Sequence, residues 1–204
     1  MRVLGPATED DMVLAFLRAE IESSRFAGGL LAALAGLGLD RTLVDRADLS
    51  GPEDNLRRRQ VLEDYRGPQR GPGAGVFGGF PDDVCWLWAA LTPAELADVR
   101  YIHWDYWLEV SGGTPRPADA IARMRREWDV PGDDIREIAD ALERGSMPHE
   151  IVVVGLPPGR GLVVLEGHVR LTGLLLRPEL LPPEVRVLLG TSPRIVEWGC
   201  YGSP

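Results

Sequence analysis

Apolar positions in the first 67 residues recur at helical spacing. Thr8 with Asp11 three residues on reads as a capping box, and Val13, Phe16, Leu17 and Ile21 then share one helical face. Gly28 and Gly29 interrupt that pattern, and Leu30 to Leu37 reads as a second short helix. Ser50-Gly-Pro-Glu53 predicts another capped start with Pro52 inside the first turn. The helix it opens carries Leu56, Val61, Leu62 and Tyr65 and stops at Gly67. Residues 68–81 are rich in Gly and Pro without periodicity, which predicts a long surface loop, read as a lid over the site. Their glycine spacing has no strand before it and no Gly-Lys-Ser/Thr after it, so it is not read as a phosphate loop. Thr92-Pro-Ala-Glu95 caps one more short helix.

The pattern changes after residue 98. Tyr101 to Val110 alternates with a period of two, which predicts a strand. Ile102, Trp104, Tyr106, Leu108 and Val110 form its apolar face; Tyr101, His103, Asp105, Trp107 and Glu109 form the other. That second face fits either a pocket wall or a half-exposed surface with a His–Asp pair. The turn Ser111 to Arg116 brings Arg116 toward the same side. Asp129 to Asp134 begins a helix with Ile135, Ile138, Ala139 and Leu142 inward, ended by Gly145. Ile151–Val154, Leu162–Leu165 and Glu184–Leu189 read as strands, and Arg194–Trp198 as a last strand with Trp198 on the core. The expected fold is α+β: a mainly helical segment at 1–98, then a mixed α/β domain at 99–204.

Glu166-Gly167-His168 is an abrupt polar turn between the strand ending at Leu165 and a helix-compatible run from Arg170 to Leu176. A helix start after a strand leaves backbone N–H groups free to meet an anion. Gly167 permits close approach of a ligand to the backbone, and His168 and Arg170 add a donor and a permanent charge. Glu166 supplies a carboxylate that can serve as a base or as a metal ligand. The plain alternative is a solvated connection whose His and Arg pair with surface acids.

The Glu166-Gly167-His168-Val169-Arg170 turn, with the helix at 133–145, the strand at 151–154 and the strand at 184–189 around it, resembles the ParB/sulfiredoxin-like superfamily. Members carrying Asp-Gly-His-His-Arg are nucleotide-dependent kinases of free serine. Here Glu166 stands for the Asp and Val169 for the second His. The resemblance implies ATP or ADP with Mg2+, phosphates at Gly167, His168, Arg170 and Thr172, and help from Arg116. It also implies a base at Glu166, with Asp105 and Glu109 next in line, and an acceptor pocket including His103 and Trp107.

Charge narrows the partners. The net charge is −9, and the pI is near 4.9. Residues 1–98 hold 10 Arg against 16 acidic residues, and residues 99–204 hold 12 against 15, so neither part is basic. A DNA-binding role of the ParB type is therefore disfavoured. All 22 basic residues are arginine, as expected of a GC-rich bacterial genome. Without lysine there is no P-loop lysine and no Schiff base. Cys85 and Cys200 match no metal or redox spacing, and Cys85 reads as a buried thiol. His103, His149 and His168 are not at metal-site spacing, so no zinc site is expected. No signal segment or membrane span is read, which predicts a cytoplasmic protein. The expected function is a small-molecule phosphotransferase acting on a nucleotide and an acceptor. The alternative is a non-catalytic nucleotide-binding module that contacts a protein partner through residues 1–98.

Overall fold

The computed structural model describes residues 1–67, 75–126 and 132–202. Residues 68–74 of the predicted loop and Asp129 of the predicted helix start lie outside them. The strands are β1 (Arg2–Pro6), β2 (Cys85–Leu91), β3 (Ile151–Leu156), β4 (Arg160–Glu166) and β5 (Val185–Thr191). They form one mixed sheet in the order β1-β2-β5-β3-β4. β3 runs parallel to β5, and the other neighbouring pairs are antiparallel.

Helices cover both faces of the sheet. On one side lie α1 (Glu9–Ile21), α2 (Ala27–Gly36), α3 (Thr42–Asp45) and α4 (Pro52–Arg66). On the other lie α5 (Pro93–Ala97), α6 (Asp105–Ser111), α7 (Pro117–Arg126), α8 (Asp133–Glu143) and α9 (His168–Leu176). Strand residues divide by parity. Val152, Val154, Val163 and Leu188 pack toward the first helical layer, while Ile151, Val153, Val164, Val187 and Leu189 pack toward the second. A sheet covered on both faces explains why these strands read as unbroken apolar runs.

The helix starts at Thr8 and Thr92 carry complete capping boxes, because Asp11 and Glu95 reach back to the cap backbone. Other expectations are corrected. Gly51, not Ser50, caps α4, and Leu56 is 64% exposed while Arg58 lies inside at 1%. Arg58 is held by the carbonyls of Leu43 and Asp48, each at 3.0 Å, so it packs α3 against α4. Cys85 is exposed at the start of β2; Cys200 is the buried thiol.

Residues 101–110 are not a strand. Only Arg100 pairs with β4, through Val163, and the chain then turns into α6. Alternation over these ten residues is also compatible with a short helix whose aromatic side chains lie at 104 and 107. Residues 195–197 form a 3-10 turn rather than a strand, although Trp198 is buried as expected. The sheet also crosses the expected boundary at 98/99: β1 and β2 belong to it, and β2 pairs along its whole length with β5.

Candidate active site

The turn at the end of β4 is shaped by a bulge. Val152 pairs with Glu166 and Val153 with Val164, so Leu165 is an extra residue in β4. Such a bulge breaks the alternation and re-aims the next side chain. Glu166 accepts a hydrogen bond from Arg170 Nη2 at 2.9 Å, one turn along α9. Gly167 follows as the N-cap of α9 with φ 100°, a left-handed conformation that an L side chain adopts only with strain. A Cβ there would sit 3.0 Å from Arg170 Nη2, so glycine also makes room for the arginine.

A cleft of about 1310 Å³ opens at this turn. Its floor holds Glu166, Gly167, His168 and Arg170; its walls come from α1, α4, α6 and α8. His168 is 7% exposed, and its Nε2 has no hydrogen-bond partner in the protein. The ring stacks on Trp107 at 4.7 Å with an 11° tilt. Burial, reinforced by the charge of Arg170, pushes His168 down to about 3, so the imidazole is neutral near pH 7. Burial pushes the Glu166 carboxyl the other way, to about 7, with Arg170 opposing and the charge of Glu20 assisting. A carboxyl that titrates near neutrality is suited to both taking and giving a proton.

Helices α1 and α4 complete the cluster. Glu20, at 2% exposure, accepts hydrogen bonds from Arg66 Nη2 and, at 3.0 Å, from the Tyr65 hydroxyl. Tyr65 also donates toward the Phe26 carbonyl at 3.2 Å. Burial and the neighbouring Glu20 charge push the Tyr65 phenol up to about 12. The Arg66 guanidinium lies 4.3 Å from the Phe26 ring, and its buried Nε has no partner in the protein. The site therefore holds two acid–arginine pairs, one from each part of the chain.

Five of the residues singled out in the sequence line this cleft: Glu166, Gly167, His168, Arg170 and Trp107. Five do not. His103 donates its backbone N–H to the Cys200 carbonyl, and its side chain lies against Gly202. Asp105 is exposed on the first turn of α6. Glu109 lies near the end of that helix, where its carbonyl accepts from Arg123. Arg116 is exposed just before α7. Thr172 is fully buried; it accepts from the Tyr101 hydroxyl and donates to the His168 carbonyl at 2.8 Å, so it braces α9 rather than facing a ligand. The shared face expected of a strand is lost because the helix turns successive side chains by about 100° instead of 180°.

In the sequence, Glu20, Tyr65 and Arg66 carry no expected site role, and Tyr65 is placed only on an apolar helix face. The signal was present: Glu20 lies four residues after Phe16, and Tyr65 four after Val61, so each continues an apolar stripe with a polar group. Among the described residues, no three His, Cys, Asp or Glu side chains converge as a metal-ligand set. The described helices include none long and apolar enough to cross a membrane. Comparisons with protein-family models, with curated proteins and with solved structures give no match.

Proposed function

We propose that this cleft is the active site of a small-molecule phosphotransferase that takes a nucleotide such as ATP and an acceptor bearing a hydroxyl group. One observation carries the reading. A left-handed glycine, a helix start, a buried unpartnered imidazole nitrogen and a carboxyl titrating near 7 meet at one turn inside a large cleft. The order of hairpin, turn, helix and strand from β3 to β5 supports a place near the ParB/sulfiredoxin-like domains.

In this reading the free N–H groups of the first turn of α9 and the Arg170 guanidinium receive phosphate oxygens. Glu166 accepts the proton of the acceptor hydroxyl as its oxygen bonds to phosphorus and the bond to the leaving phosphate breaks. Arg170 is paired with Glu166 before phosphate arrives. Arg170 gives one N–H to Glu166 and has others for a phosphate oxygen, so the anion binds while Glu166 stays ionised to act as base. Trp107 holds the His168 ring in place beside the turn. The described residues do not form a metal site of their own, and no step is assigned to magnesium; it would enter on the nucleotide's phosphates.

A second reading, a nucleotide-binding module without turnover, draws support from the same ion pair, which occupies both the base and the cation. The two are separated by one set of measurements. Thermal melting of the full chain with ATP, ADP and inorganic tripolyphosphate, with and without magnesium, should show stabilisation by mass action. Arg170→Ala should weaken ATP binding by about 1.5–3 kcal/mol. Phosphate transfer or release in the presence of candidate acceptors supports the enzyme; binding without it supports the module. Unchanged ATP affinity in folded Arg170→Ala rules out both.

A further inference from the structure

Trp104 is 43% exposed, and it is the one aromatic residue among the described large apolar side chains left open to solvent. It lines the cleft. It also sits one helical turn from Trp107, whose backbone N–H donates to the Trp104 carbonyl at 3.0 Å. Trp107 in turn stacks on His168, so the exposed indole of Trp104 adjoins in sequence the aromatic pair at the turn. An indole left open beside a cleft is a platform for another flat ring.

The second observation is a charge. Arg25 is exposed at the same mouth, with its guanidinium 4.9 Å from the Phe26 ring and 5.1 Å from the Tyr106 ring. Tyr106 meets Trp107 edge-on at 5.0 Å, which ties this arginine to the aromatic wall. Arg66, Arg170 and Arg186 of the cleft each face a carboxylate. Among the described residues, Arg25 faces none. The cleft lining also carries Asp133, Asp134 and Glu137, and Glu22, which is paired with His149. The Arg25 guanidinium, held by two rings rather than by a carboxylate, is therefore available to an anionic ligand.

We propose that Trp104 and Arg25 form a rim subsite that selects a planar aromatic ring carrying phosphate, the ring stacked on Trp104 and a phosphate oxygen held by Arg25. This rests on the proposed function, which takes a nucleotide, and adds the residues that recognise its base and select against phosphorylated ligands without an aromatic ring. Stacking fixes the ring at the mouth, and the anion extends inward toward the start of α9.

Calorimetric titration of the full chain with adenosine, inorganic tripolyphosphate and ATP tests it. Both side chains are exposed, so Trp104→Ala and Arg25→Gln leave the core intact. Trp104→Ala should weaken ATP and adenosine by roughly 5- to 150-fold, the range for one stacked base, and leave tripolyphosphate unchanged. Arg25→Gln should weaken ATP and tripolyphosphate at least tenfold and leave adenosine unchanged. Unchanged ATP affinity in either variant overturns the subsite. If tripolyphosphate still binds in an Arg170-dependent way, the phosphate reading then stands alone. Adenosine bound through Trp104 with no tripolyphosphate binding keeps the ring platform and removes the phosphotransferase reading. Binding of none of the three overturns both.

Discussion

Glu166 and His168 are two residues apart, yet burial acts on them in opposite senses. His168 has a lower proton affinity in the fold than in the unfolded chain, about 3 against 6.5. The stability it contributes is therefore present above pH 6.5 and lost as pH falls from there toward 3. Glu166 is raised from 4.5 to about 7, so its contribution is full below pH 4.5 and lost as pH rises toward 7. His168→Phe keeps a ring on Trp107 and removes the titration. By linkage it should lessen the acid destabilisation between pH 7 and pH 4.5 by about 2–3 kcal/mol, read from urea midpoints at the two pH values. For activity, Glu166→Gln should lower turnover about 10²–10⁴-fold with ATP affinity retained. Glu20→Gln removes a negative charge that raises Glu166. It should shift the rising limb of the pH–rate profile to lower pH, and an unmoved limb would mean that another group is the base.

At the scale of elements, α9 matters most, because its start forms the turn and its body is wedged against α8. Gly173 has no room for a side chain: a Cβ would lie 2.6 Å from the Ile138 side chain and 2.8 Å from the Ile135 carbonyl. The backbone oxygen cannot give way as a flexible side chain could. Gly173→Ala should therefore cost about 1–3 kcal/mol, the usual range for overpacking, measured as a drop in melting temperature. The same displacement should loosen Arg170 from Glu166, so ATP affinity should fall in that variant even where the protein remains folded. Preserved affinity would show that the turn is positioned by β4 alone. The bulge at Leu165 is the second element-scale device, since without it Glu166 would continue the alternation of Leu162 and Val164.

At the scale of the whole molecule, residues 1–98 and 99–204 fold as parts of one sheet. β5 is paired on one side by β2 and on the other by β3, and its Leu188 packs under α1 to α4. A fragment of residues 99–204 would expose the β5 edge and the whole apolar face formed by Val152, Val154 and Val163. It should fail to give a cooperative thermal transition and should aggregate. A well-dispersed NMR spectrum of that fragment would refute this and restore a boundary near residue 98. The cleft depends on the same union, because Glu20 and Arg66 come from one part and Glu166 and Arg170 from the other.

What the sequence determined by itself was local. Capping boxes at Thr8 and Thr92, the apolar runs of β3 to β5 and the Glu166–Arg170 turn depend on residues a few positions apart, so their spacing reveals them. β1 and β2 were not legible: β1 is five residues long, and β2 becomes a strand by pairing with β5, about a hundred residues later. Residues 101–110 fit two periods, and docking of Arg100 on β4 with aromatic packing of Trp107 on His168 selected the helix. Of the site, the tertiary structure decided the larger share. The titration of Glu166 and His168 follows from burial among distant residues, with Glu20 of α1 and Arg66 of α4 near Glu166 and Trp107 of α6 stacked on His168, a long-range packing that no local pattern encodes.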